Sequence, residues 1–449
     1  MLIQFGVSNY KSIREEVILS ALAGSDKAHE DELLSFRKER ILPSLAIYGA
    51  NAAGKSNLFK ALAAALIIIR TSNGRQINET IPLIAPFSFD KESKTRPTRF
   101  SFIFTTKQSK YEYGFSADSQ KVYEEYLYEY KTAKPSKIFE RSETGKYSFV
   151  AALEKEFRAY AEKNTDNKLF LSTATAWNCE KTKDAYMWLA ESIDTFGGDR
   201  LEGMVMPELE KDTDGKLQSF VTKMLQEADI NISGYHFKTS DVKVSELPST
   251  ALPAGVEIKI PFEKIKQYEM LTKHLIQGEQ GRSEYQLPFD DESEGTKRLF
   301  FYAPFIKRAM EKGNTIVIDE IDNSLHPLLA LMLINLFHDR EINKNGAQLI
   351  FNTHDVSLLD LDYFRRDQIY FVEKNNLTGV TDLYSLDEFS PRKTENIRKG
   401  YLQGRYGAIP VVGYGGLEKH HNELGIRSKS LKRNPSTEAY KLVELLKKE

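Results

Sequence analysis

The sequence is nearly free of cysteine: Cys179 is the single one among 449 residues. That excludes an intramolecular disulfide and any metal centre built from several thiolates, and it fits a reducing compartment, so a cytoplasmic location is expected. Long apolar runs are also missing. The longest, residues 61–69, is too short to span a bilayer, so no membrane segment is expected. The first residues, Met1-Leu2-Ile3-Gln4-Phe5, alternate like a strand and lack a basic stretch before a long apolar core, so no signal peptide is expected. Internal repeats, low-complexity tracts and sustained heptads are absent as well, which argues against a solenoid or a long coiled-coil arm. A net charge of −2 gives the whole chain no strong electrostatic bias. The charge is uneven, however. From Pro391 onward there are 13 Lys/Arg against 6 Asp/Glu, a basic end that suits nucleic acid, an acidic partner surface or plain solvent.

What is present is concentrated first in residues 45–59. Leu45-Ala46-Ile47-Tyr48 reads as a buried strand, and an apolar helix is expected from Lys55 to about Ile69. Between them Gly49, Ala50, Asn51, Ala52, Ala53, Gly54, Lys55 and Ser56 fit G-x-x-x-x-G-K-[ST], the phosphate-binding loop, with Asn57 in the first helical turn. Backbone N–H groups of such a loop bind anionic oxygens. Gly49 and Gly54 are expected where a side chain would block that approach. Lys55 would reach the β- and γ-phosphates of ATP, and Ser56 would hold Mg²⁺.

A second cluster follows late in the chain. Residues 314–318 read as a central parallel strand ending in Asp319 and Glu320. Asp319 is placed to serve Mg²⁺ and Glu320 to polarise the attacking water; adjacent strand carboxylates point to opposite faces and cannot share one role. A helix is expected over residues 328–338 and a strand over 348–352, ending in Thr353-His354-Asp355, where His354 can reach the γ-phosphate. Upstream, Ser293 reads as the N-cap of a helix running to about Lys312.

The rest is organised around these pieces. Residues 2–7 and 15–20 read as strands, and 24–40 as charged and irregular. Residues 98–105, 111–116 and 124–130 alternate and read as antiparallel strands. Tyr126, Tyr128 and Tyr130 share one face; they could stack on bases, and the favoured expectation is a sheet face packed on a helix. Helices are expected over 151–162, 185–193 and 217–228, a short buried strand over 169–172, a strand over 232–237 and further β structure over 256–261.

The order of the motifs resembles the ABC-type ATPases, including the SMC and RecF-like branch. In that light residues 49–56 look like Walker A, Ser293-Glu294-Gly295-Thr296 like the signature loop and residues 316–320 like Walker B. Residues 321–325 look like the D-loop, and His354 like the switch histidine. Only Ser293 and Gly295 match the family's Leu-Ser-Gly-Gly-Gln, and Gln76 is the candidate for its Gln loop. A narrower resemblance is carried by Asn9-Tyr10-Lys11-Ser12-Ile13, by residues 292–296 and 319–327, and by Gly404-Arg405-Tyr406-Gly407-Ala408-Ile409-Pro410. These resemble RloA-like AAA-15/AAA-21 ATPases, related to the ATPase half of OLD nucleases and similar to the ATPase component of PARIS-type phage defence.

The resemblance implies an α/β fold: an ABC-type ATPase head with a central, mostly parallel sheet, an antiparallel β subdomain and an inserted helical lobe. It implies an N-terminal ATPase lobe over residues 1–175, a helical insertion over 176–255, a C-terminal ATPase lobe over 256–390 and a basic extension over 391–449. It also implies ATP and Mg²⁺ as cofactors. Assembly is implied as an ATP-sandwich homodimer or a larger ring, in which Ser293 and Gly295 of one subunit close over ATP held by another. The implied partner is a neighbour-encoded effector, a TOPRIM-like nuclease or RloB-like protein, with a phage-derived trigger. The competing reading is a RecF/SMC-like DNA-binding ATPase of DNA repair, supported by the basic end. An ABC transporter subunit is disfavoured by the β-rich insert and the unusual signature.

Overall fold

The computed structural model describes residues 1–196, 201–243, 264–278 and 281–410. The chain opens with β1 (Leu2–Ser8), β2 (Val17–Ser20), a small hairpin of β3 (Leu34–Phe36) and β4 (Glu39–Ile41), then β5 (Ser44–Tyr48) and α1 (Lys55–Thr71). A β-rich stretch follows: β6 (Thr98–Thr105), β7 (Lys110–Ala117), β8 (Val122–Tyr130), β9 (Ser136–Arg141) and β10 (Tyr147–Phe149). Next come α2 (Glu154–Ala161), α3 (Phe170–Ala176), α4 (Glu180–Glu191), β11 (Ile193–Phe196), α5 (Leu201–Glu210) and α6 (Lys216–Glu227). The remainder is β12 (Gly234–Lys243), β13 (Lys264–Gly278), β14 (Gly281–Pro288), α7 (Glu294–Lys312), β15 (Thr315–Ile318), α8 (Pro327–His338), β16 (Gln348–Asn352), β17 (Ile369–Lys374), β18 (Thr381–Ser385) and α9 (Ile397–Leu402).

Two large sheets organise the molecule. One is antiparallel, with strand order β10-β9-β8-β7-β6-β1-β2. The other has the order β11-β15-β16-β5-β17-β18, parallel from β11 to β17 with β18 antiparallel at the edge. Alternation along the short central strands divides their side chains between two cores. Leu45, Ile47, Val317 and Ile350 join α1 and the antiparallel sheet. Ala46, Tyr48, Ile316, Ile318, Leu349 and Phe351 join α5, α6, α7 and α8 on the other face. Both faces are covered, as a parallel sheet requires, and the fold class is α/β. A third sheet, β12-β13-β14, precedes α7.

Local chemistry sets the helix ends. Ser293 caps α7 by accepting the Thr296 N–H at 3.1 Å, and Gly313 closes it in the left-handed region at φ 76°. The buried Arg75 side chain donates to Ile68 O at 2.8 Å near the end of α1, satisfying a carbonyl the helix leaves open.

Four expectations change. Residues 169–172 are not a strand: Phe170 begins α3. Its first N–H groups need acceptors, and the buried Glu125 carboxylate takes those of Phe170 and Leu171 at 2.5 and 2.9 Å. That contact also settles the face of β8. Glu125, Leu127 and Glu129 are the buried side, while Tyr126, Tyr128 and Tyr130 lie half-buried on the opposite face. There Tyr130 donates to Glu112 at 2.7 Å and Tyr128 to Glu140. The helix expected to end near Ile193 stops at Glu191, and Ile193–Phe196 pairs with β15 in the central sheet. Residues 24–40 contain the β3–β4 hairpin. The β structure expected over 256–261 and most of the basic end fall outside the described residues.

Candidate functional site

The five residues of β5 are all buried, and the chain leaves the strand at Gly49 to enter α1 at Lys55. The glycines are demanded by neighbours. A Cβ on Gly49 would strike the carbonyl oxygen of Val372 in β17, and one on Gly54 would strike Thr381 in β18. Gly54 also sits at φ 114°, where a side chain is strained. The sequence suggested that these glycines clear a path for phosphate; their packing against β17 and β18 is a second, independent reason. The Thr381 hydroxyl lies 2.9 Å from Ala53 O and 2.8 Å from Ser12 Oγ, which in turn accepts from Asn57 at 2.8 Å. The loop is thus held from the β18 edge.

Within the loop, Ala53 N–H donates to Ala50 O at 3.2 Å. The N–H groups of Asn51, Ala52, Gly54, Lys55 and Ser56 have no hydrogen-bond acceptor among the described residues. Asn51 and Ala52 are exposed and Gly54 and Ser56 half-buried, so these donors, gathered at a helix start, are open to an anion from solvent. The Lys55 ammonium folds back onto Gly49 O at 2.8 Å and Ala50 O at 3.1 Å. Burial pushes its pKa down to about 8, against the raising pull of Glu320, Asp319 and Asp322.

The carboxylates Asp319 and Glu320 follow β15, and Asn352 and His354 come from the end of β16. Ser56 Oγ donates to Asp319 Oδ1 at 3.1 Å, joining the start of α1 to the end of β15. Asn352, fully buried at the end of β16, donates its amide to the same Asp319 oxygen and accepts the Glu320 N–H at 2.7 Å. Glu320 lies in the left-handed region at φ 58°, a conformation costing a non-glycine residue roughly 1 kcal/mol. One amide therefore holds the Asp319 carboxylate and the Glu320 backbone. Sequence reasoning placed Asn352 only as the last residue of its strand; its sole signal was a polar residue closing an apolar run beside His354. The His354 N–H donates to Asp322 at 3.2 Å. Burial and then the Lys55 charge lower the His354 pKa, which keeps the imidazole neutral near pH 7.

The remaining candidates lie elsewhere. Ser293 is occupied as the cap of α7, and a Cβ on Gly295 would sit 2.6 Å from Ser324 O. Glu292, just before them, is bound to Thr272 and to His274 at 2.9 Å. Gln76 donates its N–H to Glu79 at 2.7 Å beyond the end of α1. None of Gln76, Ser293 and Gly295 lines the cleft that opens beside the loop. That cleft has a volume of about 1110 Å³ and runs along residues 49–53, with Arg14 and Phe89 on its walls together with His354, Leu377 and Ile409. Residues 408–410 of the Gly404–Pro410 motif thus form part of a wall next to the loop.

The family AAA_21, described as "AAA domain, putative AbiEii toxin, Type IV TA system", matches residues 44–360. No curated protein matches the chain. Among solved structures, an Smc head bound to the C-terminal winged-helix domain of ScpA is similar at 13% identity. It has a TM-score of 0.41 and covers 86% of this chain and 97% of that one. An SMC head domain from Thermotoga maritima is similar at 12% identity and a TM-score of 0.38, over 86% and 98%. The cbiO1 protein of Clostridium perfringens, part of the ABC transporter complex cbiONQ, is similar at 15% identity and a TM-score of 0.31, over 91% and 98%.

Proposed function

The chain belongs to the AAA_21 family of AAA domains, and from that premise we propose that it is an ABC-type ATPase acting as sensor and regulator of a separate effector in bacterial anti-phage defence. The observation that carries the ATPase reading is the junction of Ser56, Asp319, Asn352 and Glu320 beside five open N–H groups. Lys55 and the loop N–H groups bind the phosphates; Lys55 must leave the Gly49 and Ala50 carbonyls to do so. A hydroxyl and a carboxylate 3.1 Å apart are a donor set that fits Mg²⁺, which takes one or two protein oxygens and completes its shell with phosphate and water. Bound there, it would neutralise phosphate charge. Glu320 orients and deprotonates the attacking water, and a neutral His354 contacts the γ-phosphate.

The partners follow from the same reading. Ser293 and Gly295 complete the site only from a second subunit, so ATP is an assembly contact as well as a substrate, in a dimer or a larger ring. The effector is a neighbour-encoded protein of the TOPRIM-like nuclease or RloB-like kind, and the family description, naming a toxin–antitoxin system, supports a two-gene arrangement. No helix among the described residues is long and apolar enough to cross a membrane, which agrees with work in the cytoplasm.

Glu320→Gln tests the proposal. It is expected to keep ATP binding and to slow turnover about 10²-fold or more, the effect of losing a catalytic base. The same variant should gain mass in solution when ATP is added. Unchanged hydrolysis removes Glu320 from its role, and an identical size with and without ATP removes the assembly role. The RecF-like alternative predicts instead that duplex DNA stimulates turnover with a steep salt dependence.

A further inference from the structure

Four acidic residues crowd the start of α7: Asp290, Asp291, Glu292 and Glu294. Three of them stand in solvent. Glu292 does not; its side chain is only 8% exposed. A withdrawn carboxylate costs stability unless it is well paired, so one placed directly before Ser293 calls for a reason.

Its partners supply one. Thr272 donates its hydroxyl to Glu292 Oε1 at 2.5 Å. His274 Nε2 lies 2.9 Å from the same oxygen and 3.1 Å from Thr272 Oγ1. Thr272 and His274 stand two apart on β13 and so share one face of it. β13 is the middle strand of the third sheet, and that sheet rests on α7. The Tyr235 ring of β12 and the Phe289 ring after β14 each meet Phe300 of α7 with centroids 4.9 Å apart. On its other side the start of α7 is blocked by the Ser324 carbonyl, which leaves no room for a Cβ on Gly295. The turn through Ser293 and Gly295 is therefore fixed from two directions, while Ser293 itself stays exposed.

We propose that Thr272 and His274 are positioning residues for the ATPase reaction. Acting through Glu292, they hold Ser293 and Gly295 where these can close over the ATP of a second subunit. This rests on the reading of the site as shared between two subunits, and it names what fixes the half that carries no phosphate-binding loop. The geometry implies a division of labour. None of the hydrogen bonds that place Lys55, Ser56, Asp319 and the Glu320 backbone involves Thr272, His274 or Glu292. Loss of the Glu292 knot should thus spare a subunit's own nucleotide binding and remove its service to its neighbour.

The experiment compares wild type, Glu292→Ala, Glu292→Gln, His274→Ala and Lys55→Met. ADP affinity by calorimetry reports the phosphate-binding loop and the fold of each chain, because ADP lacks the phosphate that the second subunit would meet. Glu292→Ala is expected to lower kcat for ATP about 100-fold, the scale of a displaced reacting group, with ADP affinity unchanged. His274→Ala should lower kcat about tenfold. Glu292→Gln keeps an oxygen acceptor for Thr272 and should hold kcat within about threefold of wild type. An equal mixture of Glu292→Ala and Lys55→Met should hydrolyse ATP faster than the two proteins do separately, since a mixed pair holds one complete site. A residue that only stabilised its own chain would not be rescued in this way. Wild-type kcat in both Glu292→Ala and His274→Ala overturns the positioning role. So does a loss of ADP affinity in step with hydrolysis, or a mixture no more active than its parts. A wild-type protein that stays a monomer while hydrolysing ATP overturns the shared site itself, and the positioning role with it.

Discussion

Lys55 and Glu125 are both buried ionisable side chains set where a strand meets the start of a helix, and their surroundings differ in kind. Glu125 accepts two N–H groups from the first turn of α3, and Tyr113 donates to it at 3.0 Å. Burial pushes its pKa up to about 7, and both carboxylate oxygens accept hydrogen bonds from within the chain. Lys55 is folded back onto two loop carbonyls, faces three carboxylates and stands among open N–H donors. A polar knot that only holds the fold closes on itself. One that awaits a ligand keeps its strongest groups provisionally placed, at a cost in stability that the ligand removes.

The comparison breaks if Lys55 proves structural. Lys55→Met is expected to weaken ATP binding about 100-fold by calorimetry, the scale of losing two charge-assisted hydrogen bonds. The unliganded protein should lose no thermal stability. The Lys55 pKa is lowered in the fold from 10.5 to about 8, so its charge costs stability that builds as pH falls between those values and is fully present below about 8, and removing the charge removes that cost. A lower melting temperature with intact affinity would reverse the roles of the two residues.

Glu125→Ala should do the opposite. It leaves two N–H groups and the Tyr113 hydroxyl without an acceptor, a loss of about 3 kcal/mol in urea unfolding, while nucleotide affinity at the remaining folded protein is retained. A smaller, sharper effect is its pH dependence. The folded pKa of Glu125 is raised, so the stability it contributes is fully present below about pH 4.5 and is lost as pH rises through about 7. Glu125→Gln should flatten that part of the stability profile. The smallest expected change is at the outer face of the same strand, where Tyr130→Phe should shift stability by less than about 0.5 kcal/mol.

The site was more legible in the sequence than the lobe around it. The loop, the strand before Asp319, the strand before His354 and the cap at Ser293 each had a local signal: a fixed motif, a bounded β-branched run or a capping pair. Residues 169–172 had none. Three apolar residues and a serine carry no period, and the acceptor that makes them helical, Glu125, lies some 45 positions away. β11 was hidden for a similar reason, since its pairing with β15 is the only thing that distinguishes it from the end of α4. Asn352 and Glu292 acquire meaning through neighbours that the fold supplies: Asp319 and Glu320 for the first, Thr272 and His274 for the second.

The place of β5 between β16 and β17 has a consequence for how the protein comes into being. Its two partners begin at Gln348 and Ile369, some 300 residues after β5 has been made. At the usual pace of synthesis that is about 15–60 s during which the strand emerges with both edges unpaired. The face of β5 that carries Leu45 and Ile47, with α1, can pack early on the antiparallel sheet, whose strands are finished by Phe149. The early lobe thus doubles as a nursery for the strand that will carry the phosphate-binding loop, and the loop takes its final form only when the last third of the chain has arrived.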